Sequence, residues 1–188
     1  MSLDRFTKEC HGLAGSLMRL YGEAVALQIA GDYCVAADLG GNLEPAVPRE
    51  AGVSFNPRIA RVVSLVMQEC VSVDPALVRL AVYSCVGSDR IDDLPSDLTS
   101  ELKSVREASL GGPSWAQGIS LAIVLDRVRH LHMMTSDLDE KGAYLDEVRA
   151  SPMLLPESGA PERLRMKVLH AVELQARRLA DDREKVQG

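Results

Sequence analysis

Ile119–Met134 reads ISLAIVLDRVRHLHMM. Six of its first seven residues are apolar, and at about 100° per residue they point to every side of a helix. A helix apolar all round is enclosed by other elements rather than laid on a surface. The stretch predicts a buried central helix over about 115–134, with the rest of the chain packed around it. Ser114 with Gln117 makes a capping-box signature at its start. Asp126 stands in this apolar surround, flanked by Leu125 and Val128. A buried carboxylate is costly without a partner, so Asp126 is expected either to have held a cation or to be paired structurally.

Working outward, the same apolar periodicity recurs on both sides. Leu94, Leu98, Leu102 and Val105 form a helical stripe ended by Gly111-Gly112-Pro113. Asp74-Pro75 supplies an N-cap and a first-turn proline for a helix carrying Leu77, Val78, Ala81, Val82 and Cys85. Ile59, Val62, Val63, Val66, Met67 and Cys70 mark the core face of the helix before it. Earlier still, Phe6, Cys10, Leu13, Leu17, Leu20, Ala24 and Leu27 recur at spacings of four and three, one stripe on one helix or on two broken near Gly22. Beyond the central stretch, Thr135-Ser136 opens a short helix with Leu138, Leu145 and Val148. Leu164, Val168, Val172, Ala176 and Leu179 mark a long last helix, with a frayed tail expected at DDREKVQG. Asn42–Asn56 and Ser151–Ala160, rich in proline and glycine, read as loops. No stretch alternates with period two. The prediction is an all-α fold: a single domain over 1–188 of seven or eight helices, its core over about 24–134 and C-terminal helices over about 136–185.

Composition narrows the functional classes. At 188 residues the chain can bury a sizeable core. A net charge of −6 argues against a general nucleic-acid binder, and 4% aromatic residues against a base-stacking platform. No apolar run is long enough for a membrane span. The opening MSLDRFTKEC lacks a signal peptide's basic start and apolar run, so a cytoplasmic protein is expected. Cys10, Cys34, Cys70 and Cys85 form no CxxC pair and fall within apolar helical patterns, as buried free thiols do.

The segment Gly52–Asp89, GVSFNPRIARVVSLVMQECVSVDPALVRLAVYSCVGSD, resembles the first half of an HD-domain phosphohydrolase, most closely the hydrolase domain of the (p)ppGpp synthetase/hydrolases. That family has a G-x-P-Y-x-x-H-P-x-x-V-A stretch and an aliphatic helix, then a D-P-x-x-x-x-A-A-L-L-H-D helix and an E-D pair. Farther on it has K-L-A-D-R-L-H-N-M, which VLDRVRHLHM at Val124–Met133 resembles. The resemblance runs over about Ala24–Met133 and implies an HD-like helical fold with a pocket. It also implies a reaction the chain is poorly equipped to run. The family's metal is held by a first His, a His-Asp doublet and a later Asp. At those positions stand Asn56, Ser84-Cys85 and Asp126, and the E-D pair is Ser88-Asp89. An amide, a hydroxyl and a thiol in such places bind a hard divalent ion poorly, and without one there is no water of lowered pKa.

The expectation is therefore a catalytically inactive HD-like module that binds a protein partner or a small ligand, with no metal or other cofactor. Its vestigial pocket would be formed by Asn56, Ser84, Cys85, Asp89, Asp126, Arg127 and His130, with Asp126 hydrogen-bonded to Asn56 or Ser84. Arg127 matches the family's D-R doublet and is expected to pair structurally. His130 shares a helix face with Asp126. Two alternatives stand beside this reading. One is a phosphohydrolase with unusual ligands around Asp126, Asp89 and His130. The other is a homodimer built on the Phe6–Leu27 stripe. The run Arg163, Arg165, Lys167, Arg177 and Arg178 reads as a solvated face interleaved with Glu162, Glu173, Asp181 and Asp182.

Overall fold

A computed structural model describes residues 10–39, 57–70, 74–86, 93–108, 112–134 and 136–187. Among them are eight α-helices and no strand: α1 (His11–Tyr21), α2 (Glu23–Leu39), α3 (Pro57–Glu69), α4 (Pro75–Tyr83), α5 (Thr99–Arg106), α6 (Ser114–Arg129), α7 (Leu138–Arg149) and α8 (Glu162–Gln187). The all-α expectation is met. The chain forms two compact units, Met1–Arg106 and Glu107–Gly188, so the central helix α6 belongs with the helices that follow it.

In the first unit α1 packs on α2, and α4 packs on α2, α3 and α5. Periodicity explains the choice of faces: Ile59, Val62, Val63 and Val66 of α3, and Val78, Ala81 and Val82 of α4, are all buried. Asp74 caps α4 by accepting from the Ala76 N–H at 2.8 Å, with Pro75 at the first helical position. Leu94, Leu98, Leu102 and Val105 are buried along α5 and the 3-10 turn Ser96–Leu98 before it.

The N-terminal stripe is interrupted. Gly22 has φ 80 and ψ 173, backbone angles that only glycine adopts without strain. The helix phase resets there. Leu13 and Leu17 enter the core, whereas Leu20 and Leu27 are 60% and 44% exposed. The buried face of α2 is instead Ala26, Ile29, Ala30, Tyr33, Ala36 and Ala37.

A polar cluster crosses this first unit. Asp32 of α2 accepts from Arg79 Nε at 2.7 Å and from the Tyr83 hydroxyl at 2.8 Å, both on α4. The Arg79 guanidinium also reaches Asp97 at 3.3 Å. Burial and the Asp32 carboxylate push the Tyr83 phenol well above its ordinary value.

In the second unit α8 packs along α6 and α7. As its composition predicts, α6 is buried on most sides, through Ala116, Ile119, Leu121, Ala122, Leu125 and Val128. Leu164 and Val168 of α8 are fully buried, and Leu145 and Val148 of α7 are buried as well. The capping box at Ser114 does not form. Pro113 takes the cap position, and the Gln117 amide instead donates to the Ser158 carbonyl at 2.9 Å and the Gly112 carbonyl at 3.3 Å. A buried amide is better satisfied by two carbonyls it can reach than by an exposed helix end. The start of α7 also differs: Asp137, not Thr135-Ser136, is its cap, accepting from Asp139 and Glu140 N–H. The expected frayed tail is helical to Gln187. Arg183 holds it by pairing with Asp139 at 2.7 Å and donating to the Leu138 carbonyl at 3.3 Å.

Candidate functional site

Asn56 and Asp89 lie outside the described residues. Ser84 and Cys85 end α4 in the first unit; Asp126, Arg127 and His130 lie at the end of α6 in the second. The Ser84 hydroxyl donates to the Leu80 carbonyl at 2.6 Å, and the Cys85 thiol to the Ala81 carbonyl at 3.4 Å. Both are the back-bonds to residue i−4 that short polar side chains make on a helix. The one Ser84 hydroxyl proton is thus used within its own turn.

Asp126 is 2% exposed. His130 Nδ1 lies 2.8 Å from the Asp126 main-chain carbonyl and 3.4 Å from its carboxylate, one helical turn away. The first contact is a good hydrogen bond; the second is long for one. Arg127 points outward from the same turn and stacks on the Tyr144 ring of α7, 4.3 Å from its centre. That cation–π contact ties α6 to α7. Among the described residues no three His, Cys, Asp or Glu side chains are grouped as a metal would need.

A second feature had no sequence prediction. A trough of about 770 Å³ runs along α8 beside the end of α6. Gln175, buried on α8, donates to the Arg129 carbonyl at 3.3 Å, satisfying an end carbonyl of α6 and holding Arg129 beside α8. Arg163, Lys167, His170, Leu174 and Arg178 line the trough at helical spacings of three and four. Ala171, buried, and Met166, exposed, line it as well. Four cations, Arg129, Arg163, Lys167 and Arg178, thus face one carboxylate, Glu162. The basic run read as a solvated face with paired charges departs from that reading at Arg165. Arg165 is buried and donates to the Leu154 carbonyl at 3.4 Å, while Arg163, Lys167 and Arg178 turn to the trough. The sequence signal was present in part: Leu174 shares the spacing of those cations.

No family model, curated protein or solved structure matches this chain. Among the described residues no helix is long and apolar enough to cross a membrane.

Proposed function

We propose that the chain is a non-catalytic, HD-like helical module that binds a partner through the trough on α8. The observation that carries this reading is the trough itself, where the apolar side chains Met166, Ala171 and Leu174 are interspersed with four cations. Apolar area that excludes water and charges that select a partner are the two components of a recognition surface. The side chains at the HD positions support the negative half of the proposal. Ser84 and Cys85 are neutral donors bonded to their own helix, and neither suits a hard divalent ion. Four free thiols fit a reducing, cytoplasmic setting.

The test is chemical. Protein prepared with manganese, iron and zinc present is analysed for bound metal and assayed on phosphate esters, nucleotides and alarmones. Neither stoichiometric metal nor turnover is expected. Stoichiometric metal together with turnover lost in Asp126→Ala would replace this reading with the phosphohydrolase one.

The outward-facing Leu20 and Leu27 favour a second reading, a homodimer through α1 and α2. Light scattering on the wild type and on Leu20→Asp, Leu27→Asp decides it. A dimer that the variant dissolves establishes that interface.

A further inference from the structure

We infer that the occupant of the trough is an acidic amphipathic helix of a partner protein, an inference that rests on reading the trough as a binding site. Charge sets the sign. Four cations and one carboxylate line the trough, and of the four, Arg163 and Lys167 already have partners. Among the described residues the guanidinium groups of Arg129 and Arg178 make no ion pair or hydrogen bond. They are available to a partner's carboxylates.

The apolar residues set the shape. Met166 and Leu174 are 55% and 42% exposed. Their separation of eight residues amounts to about 12 Å along the axis. A partner helix offers apolar side chains at the same pitch on every second turn, with acidic residues beside them. From Arg163 to Arg178 the lining runs about 22 Å, or about four turns. Small-molecule sites enclose most of their ligand; a wall whose apolar members are half open to solvent does not. Asp181 and Asp182 lie about one helical turn beyond Arg178 and bound the attractive run, so the acidic stretch of the partner ends there.

A displayed library of random helical 18-mers is selected on the full chain. It is counter-selected on Arg129→Glu, Arg178→Glu, whose two sites are exposed and whose folding is checked by circular dichroism. Enriched peptides are expected to be acidic, with apolar residues seven or eight apart. By fluorescence anisotropy they should bind about tenfold or more weaker to the charge-reversed protein and to Met166→Asp, Leu174→Asp. Lysine-for-glutamate versions of the same peptides should recover binding to the charge-reversed protein. Enrichment of basic or neutral peptides, insensitivity to both variants, or no enrichment overturns the inference. Dodecyl phosphate and a single-stranded oligonucleotide are titrated in parallel. If either saturates the trough while no peptide does, the occupant is wrong and the trough still binds. If nothing binds, the proposed function falls with it.

Discussion

Asp32 receives two donors from α4, Arg79 and Tyr83, and only 11% of its side chain is exposed. Removing it strands a phenol that is 1% exposed and loosens a guanidinium that Asp97 holds only at 3.3 Å. Asp32→Ala is expected to cost about 2–4 kcal/mol in urea unfolding, against about 1 kcal/mol for Tyr83→Phe. The same residues carry a pH dependence. Below the ordinary tyrosine value of 10.0 the phenol keeps its proton in both folded and unfolded chains. Above it the unfolded chain ionises while the native one, its Tyr83 phenol raised by burial and then by Asp32, does not. Stability therefore falls as pH rises past that value, by up to about 1.4 kcal/mol per pH unit. Melting temperatures between pH 8 and 11 should fall less steeply in Tyr83→Phe. Equal slopes in both proteins would remove Tyr83 from the account.

Gly22 decides where one element ends and the next begins. A β-carbon there meets no atom within 4 Å, so the penalty for Gly22→Ala is purely conformational. The expected loss is about 1–3 kcal/mol in thermal or chemical unfolding, with no change in the fold. An unchanged stability would mean that the turn relaxes freely. The break was visible in the sequence as a glycine, but its consequence was not. Leu20 and Leu27 keep the heptad-like spacing of Leu13 and Leu17, yet both are exposed: Leu20 already within α1, before the break, and Leu27 on α2, whose buried face is reset by the backbone angle at Gly22. Elements whose signals are local were legible: Asp74-Pro75 caps α4 as its chemistry demands, and the faces of α3 and α5 follow from spacing alone. Gln117 was misread because its partner, the Ser158 carbonyl, lies 41 residues away.

The second unit has its own core, with Leu121, Leu125 and Val128 of α6, Leu145 and Val148 of α7, and Leu164, Val168 and Val172 of α8 all buried. A fragment spanning residues 107–188 is expected to be helical by circular dichroism and to melt cooperatively. A fragment without cooperative melting would show that the unit borrows its stability. The trough belongs to this scale too, which is why the sequence concealed it. Arg129 and Arg163 are separated by a whole helix, and only the packing of α8 on the end of α6 makes them neighbours.

The trough is a positive strip on a chain whose formal net charge is −6. An acidic visitor is thus repelled at long range and attracted at short range. In about 0.01 M salt the Debye length is near 30 Å, so the repulsion reaches far out; at about 0.1 M it shrinks to roughly 10 Å. Added salt should then speed capture by erasing the outer barrier and speed escape by weakening the inner contacts. Stopped-flow mixing would register both rates rising together, and the affinity would pass through a maximum at intermediate ionic strength.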